Sequence, residues 1–332
     1  MIPVLDILMA LPSVLSDEVF GSYLDLRHVA LVDSAICNSR KRVQLLSVLY
    51  GSSTHQLTDL PKKTSLIRRP EDCQDRNKER LIWITLRNLK LKSLSVDPTF
   101  DMMADIMAQY LQLNGKFVKS IAFNRSTMQR SVQAVLDHCD CVDTINCEEN
   151  MNATELRSVI ARWAHQLKHI SLNIADASIL TYIGSVCKQL ETIHVIFPIF
   201  HSKVLEEGWV EFFQTCSPTI TSISSNKLPL TDRLMDAIAQ YLPFLACLEG
   251  DRTTHLTDAG LFSLSKGCPR LRKFSRNQAF SSGNTLISLN ITDVGLCAIA
   301  SNAELTQIEL NDVPQITDES IITIAKSCSK LS

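Results

Sequence analysis

The sequence predicts an α/β solenoid, a stack of strand–turn–helix units, on three observations. An apolar signature, one residue, two free positions and a second residue, recurs at near-regular intervals along most of the 332 residues. In the last third of the chain, copies of the tripeptide [LI]TD starting at Leu230, Leu256, Ile291 and Ile316 each open a run with apolar residues at helical spacing. The composition, 45% hydrophobic and 20% charged, supplies a large core and excludes a disordered chain.

The N-terminal part lacks the period. Residues 9–50 read as a small helical module. Leu11, Leu15, Val19, Phe20, Tyr23 and Leu24 mark one amphipathic helix opened by Pro12. Val29, Leu31, Val32, Ala35 and Ile36 suggest a second, and Val43, Leu45, Leu46 and Leu49 a third. A module of this size buries little apolar surface by itself. Residues 51–80 are polar and aperiodic, as a linker would be. Their Lys62, Lys63, Arg68 and Arg69 suit a solvated linker better than a nuclear-import signal.

Residues 81–332 carry the repeat. In one unit, Thr257 and Asp258 are N-cap residue types that can satisfy the first free N–H groups of a helix. Leu261, Leu264 and Cys268 share one face of that helix, Pro269 stops it, and Leu271 and Phe274 begin an extended segment. The same signature starts at Leu91, Val118, Val142, Leu167, Leu190, Ile220, Leu245, Leu271, Leu305 and Leu331. Those starts span 240 residues in nine intervals, a mean near 27, for about nine to ten repeats. Two long intervals imply insertions, one at Ile196–Phe200 and one at Ser281–Asn284. The first is apolar and suits either a partner contact or a segment folded over the core. Leu331 begins a strand with no polar cap after it, so the array is expected to continue beyond Ser332.

A strand, a turn and a helix at this period describe a leucine-rich repeat, a horseshoe of the ribonuclease-inhibitor-like kind. Cys139, Cys187, Cys216, Cys268 and Cys328 at helix ends, with the [LI]TD start, resemble the cysteine-containing class of that repeat. Leu11-Pro12, then Val19-Phe20, Tyr23-Leu24, Leu26 and Leu31-Val32, resemble a divergent F-box; the usual tryptophan is absent. Together they look like an F-box/leucine-rich-repeat protein. The resemblance implies the substrate receptor of a Skp–cullin–F-box (SCF) ubiquitin ligase. Leu11, Pro12, Val19, Phe20, Leu24 and Leu26 would then contact a Skp-type linker of the cullin–RING ligase. The other reading makes the helices a cap on a plain protein-interaction scaffold.

The sequence offers little to catalysis. No phosphate-binding glycine loop or nucleophile elbow occurs among its ten glycines. His165 and His169 straddle a helix-to-strand junction, and Cys139, Cys141 and Cys147 lack paired C-x-x-C units. Neither catalytic residues, metal nor cofactor is therefore expected. A net charge of −2 argues against a nucleic-acid partner, and no apolar run reaches the ~20 residues of a membrane span. Eleven cysteines, an odd number, read as reduced thiols of a cytoplasmic or nuclear protein. Strand alternation then selects a binding face. If Ile170 and Leu172 point inward, His169, Ser171 and Asn173 point onto the concave sheet. The same parity selects Asn146, His194, Asn226, Glu249, Lys273 and Glu309 as substrate contacts.

Overall fold

The computed structural model describes residues 55–56, 81–82, 84–86, 89–96, 104–123, 129–147, 151–174, 176–197, 202–226, 228–250, 252–276, 290–301, 304–310, 313, 315–328 and 330. The helical module expected at 9–50, with its six linker contacts, lies outside them. The chain forms two compact units, Met1–Glu148 and Glu149–Ser332, divided inside the repeat array.

The first unit holds β1 (His55–Gln56), β2 (Leu91–Val96), α1 (Ala104–Asn114), β3 (Ser120–Phe123), α2 (Gln129–His138) and β4 (Thr144–Cys147). The strands lie parallel in chain order. β1 falls within the segment read as a linker, where it pairs an edge of β2 that would otherwise be bare. Leu91, Leu94, Val96, Val118, Ile121, Phe123, Val142, Ile145 and Cys147 are buried, as the recurring signature requires. The Tyr110 hydroxyl ties helix to sheet. It donates to the Leu89 carbonyl at 2.7 Å and accepts the Leu91 N–H at 3.1 Å. Burial raises its pKa.

The second unit continues the scheme with α3 (Ala153–Trp163), β5 (His169–Asn173), α4 (Ser178–Val186), β6 (Thr192–Ile196), α5 (Ser202–Thr215) and β7 (Ser222–Ser225). Then come β8 (Pro229–Thr231), α6 (Asp232–Tyr241), β9 (Cys247–Gly250), β10 (Arg252–His255), α7 (Asp258–Gly267) and β11 (Lys273–Arg276). It ends with α8 (Asp293–Ala300), β12 (Gln307–Glu309) and α9 (Asp318–Ser327). Strands β5, β6, β7, β9, β11 and β12 form one parallel sheet, and β8 pairs β10 apart from it. An α/β array of parallel strands and helices, as in a leucine-rich repeat, is thus present.

The longer unit between Leu190 and Ile220 is filled by α5. Its Trp209, Phe212 and Phe213 are buried, with ring centroids 5.6–5.7 Å apart. Phe197, from the apolar insertion, is also buried. Of the two readings of that insertion, folding over the core holds for this residue.

The cysteines end helices. Cys139, Cys187, Cys216, Cys268 and Cys328 each donate the backbone N–H to the carbonyl four residues back. The Cys268 and Cys328 thiols also point at carbonyls of the preceding repeat, Leu242 at 3.4 Å and Ala300 at 3.5 Å. Burial pushes the Cys147, Cys187, Cys216 and Cys268 thiols up to about 12.

The [LI]TD motif divides its labour differently from the expectation that both polar residues cap one helix. Thr231, Thr257, Thr292 and Thr317 cap their own helices, each accepting an N–H of the first turn. The aspartates reach forward instead. Asp232 accepts the N–H and hydroxyl of Thr257 at 2.8 and 2.7 Å. Asp258 does the same for Thr292 at 2.8 and 2.6 Å, and Asp293 for Thr317 at 2.8 and 2.5 Å. Each carboxylate therefore clasps the next repeat at a helix N-terminus, where negative charge is favoured. The approach is close enough to demand glycine. A Cβ at Gly260 would lie 2.5 Å from Asp232 Oδ1, and one at Gly295 2.2 Å from Asp258 Oδ1.

Candidate protein-recognition face

In β5, β6, β7 and β9 the alternation buries every other residue and leaves the rest on the opposite sheet face. Parallel register aligns these into rows. One row runs His169, Thr192, Ser222, Cys247, Lys273, Gln307. The next runs Ser171, His194, Ser224, Glu249, Ser275, Glu309. Asn173 stands opposite Ile196 in a third. Neighbouring strands lie ~4.8 Å apart, so each row is a ladder of closely spaced short side chains.

The rows are cross-linked. The His169 Nδ1 and Thr192 hydroxyl are 2.8 Å apart. Lys273 Nζ meets Glu249 Oε1 at 2.7 Å, and the Ser224 hydroxyl donates to Glu249 Oε2 at 3.0 Å. The Ser275 hydroxyl donates to Glu309 Oε2 at 2.6 Å, and Gln307 donates to Glu309 as well. Burial alone would raise the Glu249 carboxyl; hydrogen bonds from Lys273 and Ser224 hold it below the ordinary value. The bond to Glu249 pushes Lys273 above its own. Hydrogen bonds from Ser275 and Gln307 lower Glu309.

Among the expected contacts, His169, Ser171, Asn173, His194, Glu249, Lys273 and Glu309 share this face. Asn146 occupies the corresponding parity on β4, in the first unit. Asn226 departs from expectation. It sits in the turn after β7, with its amide oxygen accepting the Phe197 N–H at 2.9 Å and its nitrogen donating to the Phe197 carbonyl at 3.3 Å. Both ends of the side chain are spent holding the apolar insertion, so Asn226 is a structural residue. Ser275 points to this face but is buried beneath its neighbours. Cys247, not singled out from the sequence, lies half-buried on the polar face, with Sγ 3.7 Å from Glu249 Oε1. Its parity with Glu249 was the available signal.

The face is suited to binding by shape and hydrogen bonding. His165 lies in the turn after α3 and His169 opens β5. Among the described residues no three His, Cys, Asp or Glu side chains converge as a metal site, and no helix is long and apolar enough to cross a membrane.

No family model and no curated protein matches the sequence. In structure the chain is similar to a chain in the crystal structure of the Rad7 and Elc1 complex in yeast. The two are 13% identical over 94% of this chain and 92% of that one, with a TM-score of 0.45.

Proposed function

We propose that this chain is a substrate receptor, holding a protein on the polar sheet face of its second unit and delivering it to an SCF-type ubiquitin ligase through residues 9–50. The observation that carries the binding half is the pair of cross-linked rows. Ser171, His194, Ser224 and Glu249 stand at strand spacing, and the bonds from Ser224 and Lys273 fix Glu249 before a partner arrives. Pre-positioned groups lose little freedom on binding. Short donors and acceptors of mixed charge suit a polypeptide; the two rows contain a single lysine and no Phe, Tyr or Trp, a poor match to a phosphate backbone or stacked bases.

The ligase half rests on the Leu11-Pro12 to Leu31-Val32 pattern. In this reading the chain supplies no acid, base or nucleophile and acts by proximity, raising the effective concentration of substrate near the ubiquitin-charged enzyme. The protein would work in the cytoplasm or nucleus, where such ligases act. The second reading, a scaffold without a ubiquitin role, is favoured by the tryptophan missing from the N-terminal pattern.

A pull-down with a purified Skp-type linker separates the two. Saturable capture of the full chain, lost in Leu11→Asp/Phe20→Asp with circular dichroism unchanged, supports the receptor. Absence of capture by either form refutes the ligase role and leaves the scaffold.

A further inference from the structure

The strand-start edge of the first unit gathers four lysines, with Asp143 next along the row. The Lys119 N–H donates to the Lys92 carbonyl at 2.8 Å, which places two exposed lysines side by side on adjacent strands. Beside them, Lys90 Nζ lies 4.8 Å and Lys116 Nζ 5.3 Å from the centroid of the Phe117 ring. None of the four forms an ion pair among the described residues. The next carboxylate along the row, Asp143, accepts the Thr144 hydroxyl at 2.8 Å.

The same edge of the second unit is treated differently. Lys168, at the position equivalent to Lys119, meets Glu191 of the next strand at 2.7 Å. Arg272 meets Glu304 at 3.1 Å, and Glu304 also receives Lys330 at 2.9 Å. Like charges directly opposite on neighbouring strands are destabilising, and alternation is the ordinary remedy. The first unit forgoes it at the Lys92–Lys119 pair.

We propose that Lys90 and Lys116 at the Phe117 ring, with Lys92 and Lys119 on the neighbouring strand starts, form a docking site for an acidic segment of a partner protein. Cation–π contact with one ring holds two of the ammonium groups in place before the partner binds. Incoming carboxylates would relieve the repulsion, which makes the site selective for negative charge and fast to associate. Four cations in a small cluster suit a short acidic stretch. A nucleic acid is disfavoured because the Lys90 and Lys116 ammonium groups already lie against the Phe117 ring, where a base would have to stack. This surface is separate from the polar rows of the second unit and stands independently of the ligase reading.

The test uses the full chain and a fluorescein-labelled oligoglutamate peptide, read by anisotropy at low and high salt. Expected is binding that weakens with salt, falls about tenfold in Lys92→Gln/Lys119→Gln and is lost in Lys92→Glu/Lys119→Glu. Lys266→Glu/Lys326→Glu, the same charge change on α7 and α9, should bind as wild type. The glutamine variant should melt no lower than wild type, because it removes repulsion. Unchanged peptide affinity in the first two variants, equal loss in the control pair, or a lowered melting temperature in the glutamine variant would overturn the proposal. So would duplex DNA competing more tightly than the peptide.

Discussion

Within the second unit, the repeats built on α3 to α5 and those built on α6 to α9 share one architecture but are joined by different chemistry. In the later group the joint lies at helix N-termini, where Asp232, Asp258 and Asp293 each clasp the threonine of the following repeat. In the earlier group Asp176 turns back on its own segment, accepting the N–H and hydroxyl of Ser178. There the joint lies at the C-termini: Lys188 Nζ donates to the Gly184 and Thr215 carbonyls, both at 2.8 Å, bridging the ends of α4 and α5. Anions at N-termini and a cation at C-termini answer the same helix dipole from opposite ends. The earlier group buries the bulk of Trp209, Phe212 and Phe213 in α5, and the later group has Gly260 and Gly295 admitting a carboxylate. Repeats can thus be spaced by volume or by a fixed hydrogen-bonded distance.

The largest way to break the contrast is to remove volume. Trp209→Ala should cost about 3–5 kcal/mol in urea melts, the range for emptying a large aromatic site. Trp209→Phe should cost far less, because the indole Nε1 has no acceptor among the described residues and its loss removes an unsatisfied donor. Next comes the clasp. Asp258→Ala deletes two charge-assisted bonds to Thr292 and should cost about 2–4 kcal/mol. Gly295→Ala should cost about 1–3 kcal/mol, since its Cβ would meet Asp258 Oδ1 at 2.2 Å. Combining it with Asp258→Ala should cost clearly less than the two singles together, because the collision disappears with the carboxylate. Full additivity would show that the carboxylate does not set the spacing.

How much of this was legible depends on the range of the interaction. Core positions such as Ile170, Ile193 and Ile223 follow from strand alternation, a rule that acts within a few residues. The row members Ser171, His194 and Glu249 follow from the same parity. The aspartate clasps do not: their partners lie 24 to 34 residues away, and a T-D pair before a helix reads locally as two caps. The glycine two residues after Asp258 and Asp293 was the overlooked signal, for nothing in the helix itself calls for it. Asn226 was misread for a related reason. Parity placed it on the face, but the chain turns there and its amide closes on Phe197, which belongs to an insertion with no counterpart in the other repeats.

Proton linkage gives the smallest and most selective effect. Hydrogen bonds to Ser178 lower Asp176, and Lys168 lowers Glu191, in the earlier repeats. In the later ones Glu249, Asp293, Glu304 and Glu309 are all lowered. A carboxyl held below its ordinary value contributes stability above that value and loses it as pH falls through the folded one. The ordinary values are 4.5 for Glu and 3.8 for Asp. Amide exchange followed below pH 4.5 should therefore show residues 247–328 losing protection before residues 153–196. Alkali should not discriminate. The Cys187 and Cys216 thiols of the earlier group and Cys268 of the later are each pushed up to about 12 by burial. A raised thiol contributes its stability below the ordinary value of 9.0, and that stability is lost as pH climbs from there toward 12. Both groups should loosen together on that side, and equal loss of protection in acid would show that the lowered carboxyls do not favour the later repeats.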